Sequence, residues 1–137
     1  MPKVEYFLLC ESVAVDQDTN RISLFNVLED FQIAPPKDAA QKPAYILGQF
    51  VAVALFNREP DDGDKEFEAC LRFKLPDDQY SEHKISFRME RNRQRVLMRF
   101  VGMPPVGKHG VLQFELLLDG AHRAFHTVYL NTETSVS

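Results

Sequence analysis

The segment Glu66-Phe67-Glu68-Ala69-Cys70-Leu71-Arg72-Phe73-Lys74-Leu75 alternates apolar and mostly polar side chains along its whole length. Successive β side chains point to opposite faces, so a period of two marks a strand with one face buried. Residues 84–90 repeat the pattern, with Ile85, Phe87 and Met89 on one face and Lys84, Ser86, Arg88 and Glu90 on the other. Working outward, β-rich runs at about 3–15, 21–33, 44–57, 94–102, 111–118 and 122–131 bring the expectation to eight strands, with no convincing helix. Turn formers separate them at Asp16–Asn20, Pro60–Asp64, Pro76–Gln79, Arg91–Gln94, Pro104–Gly110 and Asp119–Gly120. Most of these connections are expected to be hairpins. One open sheet of this length would leave an apolar face in water, so the pattern predicts an all-β, antiparallel β-sandwich of about eight strands, one domain over 1–137. Residues 34–43 carry Pro35, Pro36 and Pro43, which favour an extended crossover where the chain changes sheets.

Composition agrees with a globular domain. The 137 residues are 45% hydrophobic and 26% charged with a net charge of −4, which excludes disorder, collagen, coiled coil and small disulfide scaffolds. No apolar stretch approaches the 18 residues of a membrane helix, and Phe7-Leu8-Leu9, between Glu5 and Glu11, is too short and acidic for a secretory core. The two cysteines, Cys10 and Cys70, form no C-x-x-C pair, so a reducing cytoplasm is the expected compartment. Tyr45–Phe56 is apolar on both faces: Tyr45, Leu47, Val51, Val53 and Leu55 on one, Ile46, Phe50, Ala52, Ala54 and Phe56 on the other. Its outer face needs cover, either from a loop or terminal segment of the same chain or from a second copy in a homo-oligomer.

The order Cys10-Glu11-Ser12-Val13 leading to Asp16, then Arg21–Val27, then Gly110-Val111-Leu112-Gln113-Phe114 with Asp119-Gly120, resembles a family of small bacterial proteins carrying a domain of unknown function. The resemblance implies a compact sandwich of the immunoglobulin-like or C2-like kind and brings no catalytic residues. Leu112 stands where an aromatic residue is expected two positions before Phe114, which removes a tyrosine-corner bond.

Candidate chemistry is sparse. His122 and His126 are four apart, a metal pair on a helix, but on a strand they lie about 13 Å from one another, too far for one ion. Asp16 and Asp18, Asp61, Asp62 and Asp64, and Asp77 and Asp78 lie in turns, where calcium is the alternative to solvated turn residues. Alternation places Cys70 on the polar face, as a partly exposed thiol beside acidic neighbours. There is no nucleophile elbow and no phosphate-binding glycine fingerprint.

Arginine is concentrated. Arg88, Arg91, Arg93, Arg95 and Arg99 are five of nine arginines, all on one expected hairpin. Residues 1–82 hold 8 basic against 16 acidic residues, and 83–137 hold 8 against 4, so the halves differ in sign. The chain is acidic overall and the hairpin lacks outward aromatics, which argues against nucleic acid and leaves two readings: a solvated hairpin whose arginines pair with acidic neighbours and protect a strand edge, or contact with an acidic protein patch. These five arginines are the candidate partner-binding residues, and exchanging Arg91, Arg93 and Arg95 for Ser is expected to leave stability unchanged. The functional expectation is a non-enzymatic protein-interaction or assembly module of the bacterial cytoplasm, with no cofactor, metal or membrane. A small-ligand or calcium-binding sandwich is the alternative.

Overall fold

The computed structural model describes residues 1–33, 49–63, 65–74, 80–101 and 110–132. Nine strands lie among them: β1 (Lys3–Val15), β2 (Ile22–Val27), β3 (Asp30–Ile33), β4 (Gln49–Asn57), β5 (Glu66–Lys74), β6 (Tyr80–Arg88), β7 (Arg93–Val101), β8 (Gly110–Leu118) and β9 (Ala121–Thr132). They form two sheets, β2-β1-β4-β7 and β3-β9-β8-β5-β6. Pairing is antiparallel except for β3 on β9, which is parallel.

The ninth strand arises because the 21–33 run divides. After Val27 the chain leaves the first sheet, and from Asp30 it pairs in the second, with Leu28 buried at the crossing. The 34–43 segment expected as a crossover lies outside the described residues, and β3 and β4 on either side of it belong to different sheets.

Three of the eight connections, β1–β2, β5–β6 and β8–β9, join hydrogen-bonded neighbours, and the other five pass between sheets. This corrects the expectation that most are hairpins. Turn-forming residues show where a chain bends, but the same residues serve a return in one sheet and an arch across two. The β8–β9 turn is a true two-residue hairpin loop, with Asp119 and Gly120 at φ 48° and 83° as a type I′ turn demands. The order β9-β8-β5-β6, with β3 parallel to β9, is the connectivity of an immunoglobulin-like sandwich and decides between the two sandwich kinds.

The main core lies between the inward rows: Phe7 and Leu9 of β1, Phe50–Phe56 of β4, Phe67–Phe73 of β5, Leu112–Leu118 of β8 and Val128 of β9. Phenylalanine dominates its centre. Phe114 meets Phe50 edge-on at 5.9 Å and Phe73 at 5.2 Å, and Phe50 stacks on Phe100 at 4.7 Å. β4 and β8 are joined across the two sheets by this aromatic contact.

The outer face of β4 is covered from within the chain. β1 pairs with β4 only through Cys10, and beyond it β1 pairs with β2 alone as a two-stranded ribbon. The ladder has no pair at Glu11 and Asn26, where Asn26 takes φ 55° and its side chain donates to Glu11 at 2.9 Å. The interruption turns the ribbon, so that Val13, Ile22 and Leu24 join Cys10, Val51 and Val53 in a second apolar cluster with Tyr6 and Leu97. At the ribbon tip the Asn20 carbonyl accepts from the Arg95 guanidinium of β7 at 2.9 Å, although β2 and β7 are opposite edges of the sheet. The ribbon therefore folds back across its own sheet. Val51 and Val53 are buried by it, which removes the exposed apolar face that motivated a homo-oligomer through Tyr45–Phe56; Tyr45 and Leu47 lie outside the described residues.

Candidate interaction surfaces

The arginine cluster is not one hairpin. β6 and β7 are edge strands of different sheets, and the chain arches between them through Glu90–Asn92, pinned where the Arg58 N–H donates to the Asn92 carbonyl at 2.8 Å. Arg88 ends β6 on the second sheet, Arg91 is exposed in the arch, and Arg93, Arg95 and Arg99 alternate along the outward side of β7. Arg93 is held in place by Asn57, to which its Nε donates at 3.1 Å, and by Glu5 at 3.4 Å. Arg88 approaches Glu66 only to 3.8 Å. Arg99 is exposed and has no acidic partner among the described residues.

Arg95 plays a structural part that the alternation did not reveal. It is half-buried, it latches the ribbon, and its Nε is buried without an acceptor among the described residues. Arg95→Ala removes one bond and the cover of the aliphatic stem, an expected loss of about 1 kcal/mol. This corrects the expectation that the triple serine exchange is neutral. Beneath the ribbon, the Cys10 thiol donates to the Val51 carbonyl at 3.7 Å and is pushed up in pKa by burial. Arg95→Ala is therefore expected to speed Cys10 modification by a thiol reagent severalfold, and an unchanged rate would show that the ribbon stands without its latch.

The outward face of the second sheet carries a constellation that sequence reading missed. Arg72 of β5 reaches across to Glu115 of β8, with Nε and Nη2 3.1 and 2.7 Å from the same Oε2. His122 of β9 brings Nδ1 to 3.3 Å from that oxygen. The Arg72 guanidinium also lies 4.6 Å over the Tyr80 ring, and His122 stacks on Phe125. Tyr80, Phe125 and Tyr129 are about half exposed. Alternation predicts that Arg72 points outward; the cross-strand register Arg72–Glu115–Phe125, which brings the others to it, is a tertiary fact.

The remaining candidates have local roles. Register shifts between Leu116 and Leu117, so His122 lies on the outer face while His126, opposite Phe114, lies on the inner side with Nε2 2.6 Å from the Leu28 carbonyl. The two histidines face opposite ways, and no metal-binding group of His, Cys, Asp and Glu occurs among the described residues. Asp16 caps its turn by accepting the N–H groups of Asp18 and Thr19 at 2.8 and 2.9 Å, which hold its carboxyl below the ordinary range. Asp62 is buried, accepting the Glu59 N–H at 2.6 Å and pairing with the Met1 amino group at 2.9 Å. Asp64, Asp77 and Asp78 lie outside the described residues. Cys70, expected partly exposed, is buried. It sits on a central strand under Glu68, Arg72, Glu82 and Lys84, and burial, with Glu82 and Glu68 adding to it, pushes its thiol up in pKa. An open cleft of about 630 Å³ is lined by Leu28, Glu29, Asp30, His126, Thr127 and Tyr129.

No family model and no curated protein matches this chain. Among solved structures it is similar to an immunoglobulin-like protein from Pseudomonas aeruginosa, at 9% identity over 96% of this chain and 97% of that one, with a TM-score of 0.41. The sandwich assignment stands on the pairing of the two sheets themselves.

Proposed function

We propose that this chain is a non-enzymatic protein-interaction module of the bacterial cytoplasm, which captures an acidic, extended segment of a partner along β7. The observation that carries this reading is an edge strand, unpaired on one side among the described residues, whose outward row runs Arg93, Arg95, Leu97 and Arg99. Alternate residues of a strand repeat at about 6.7 Å, so an added strand whose same-face row alternates with apolar residues sets acidic side chains near Arg93 and Arg99, on either side of Leu97. Guanidinium forks bind carboxylates bidentately, and the like charges discourage β7 from pairing with itself. Two free cysteines buried on different sheets suit a reducing compartment.

The test is fluorescence anisotropy with a labelled peptide of alternating Glu and Val. Binding at low salt is expected to weaken as salt rises and to fall at least tenfold in Arg93→Ser/Arg99→Ser, which leaves the Arg95 latch intact. Equal binding by both proteins, or none by either, overturns the reading. A small-ligand role has one observation in its favour, the cleft beside Glu29, Asp30 and His126. A thermal shift with calcium in a protein that ignores the peptide would favour it.

A further inference from the structure

Among the described residues β6 is a highly exposed strand, a nine-residue edge with no residue fully buried and no proline to discourage pairing. Its inward side is unfinished. His83 and Ile85 point toward the interior side, where His83 meets Phe100 at 4.6 Å, yet His83 is exposed and Ile85 is 38% accessible. An inward-facing isoleucine left in water means that β6 overhangs the first sheet and that nothing among the described residues closes the sandwich there.

We propose that β6 is a seam between two copies of this chain, paired antiparallel about a two-fold axis centred on Ile85. The charge pattern selects both the occupant and the register. Outward along β6 stand Tyr80, Glu82, Lys84, Ser86 and Arg88, a mixed row that complements itself when reversed. Centred on Ile85, Glu82 faces Arg88 of the partner subunit and Arg88 faces the partner subunit's Glu82, while on the inner side Ile85 meets the partner subunit's Ile85 and His83 meets the partner subunit's Phe87. Centring on Lys84 sets Lys84 against itself. Centring on His83 pairs Glu82 with Lys84 but sets His83 against itself and spends Ile85 on Ser81. Only the Ile85 register satisfies the charges and the exposed apolar side chain together. Arg88 is at hand, since its present contact with Glu66 is long at 3.8 Å. The result is one continuous sheet across two molecules, formed by a face that the β7 edge does not use.

Sedimentation velocity of the whole chain tests this. The wild type is expected to move from monomer to dimer between about 10 and 300 μM, the range of a small, transient interface. Glu82→Arg and Arg88→Glu each place like charges across the seam and are expected to raise the dissociation constant more than tenfold, whereas the double exchange restores it. Lys84→Glu, opposite Ser86 in this register, is expected to leave it unchanged. Thermal midpoints of all variants verify that the fold is intact. A monomeric wild type at 300 μM, single reversals that still dimerise, or dissociation by Lys84→Glu instead of Arg88→Glu overturns the proposal.

Discussion

Phe114→Ala is expected to lower the free energy of unfolding by about 4 kcal/mol. Phe114 is fully buried on β8 and touches Phe50 of the first sheet and Phe73 of its own, so it joins the two sheets where no covalent link does. The cost sums lost transfer energy and the cavity left between facing aromatics, which neighbouring rings are too rigid to fill. At this chain length the thermal midpoint should drop by roughly 15 °C. Phe114→Leu retains most of the volume and should cost only about 1 kcal/mol. Urea titration of both variants checks the ordering; a loss under about 2 kcal/mol for the alanine variant would mean that the inter-sheet contact is dispensable.

Asp62→Ala should cost about 2 kcal/mol, and the deficit should depend on pH. The carboxylate is 1% exposed, and removing it leaves the Glu59 N–H and the Met1 amino group without their acceptor. The amino group is partly solvated, so the figure is below that of a fully desolvated pair. Burial alone would raise the Asp62 pKa, but the Met1 amino group, the Glu59 N–H and Lys65 outweigh it and hold the carboxyl below its ordinary value. A carboxyl whose folded pKa is depressed contributes stability above its unfolded pKa, near 4, and loses it as pH falls through the folded value. Wild type should therefore lose stability below about pH 4 more steeply than Asp62→Asn. Equal acid limbs in the two proteins would assign that loss to other carboxylates.

Much of the architecture could be read from periodicity. The stretch 66–75 contains β5, Glu66–Lys74, and 3–15 is β1 with the same bounds, because a half-buried strand writes its period into the sequence. Sheet membership could not be read this way. Nothing in Arg91–Gln94 distinguishes an arch from a hairpin, so periodicity alone puts the five clustered arginines on one ribbon, whereas the fold distributes them over two sheets and an arch. Cys70 failed for a related reason, since alternation gives the direction of a side chain but not the length of the neighbours that cover it. Arg72, Glu115 and His122 are dispersed over 51 positions and meet only through register.

The parallel pairing of β3 with β9 sets Asp30 opposite Tyr129, 99 positions later in the chain. Loops of that length close slowly, and their contacts form only after local pairs are in place. On the ribosome, β1 and β2 can form their ribbon as soon as they emerge, but β3 must wait as an unpaired edge until β9 is made. For the duration of synthesis the nascent domain therefore exposes a short strand seeking a parallel partner, and that interval is when a chaperone or a neighbouring nascent chain has its best opportunity to intercept it.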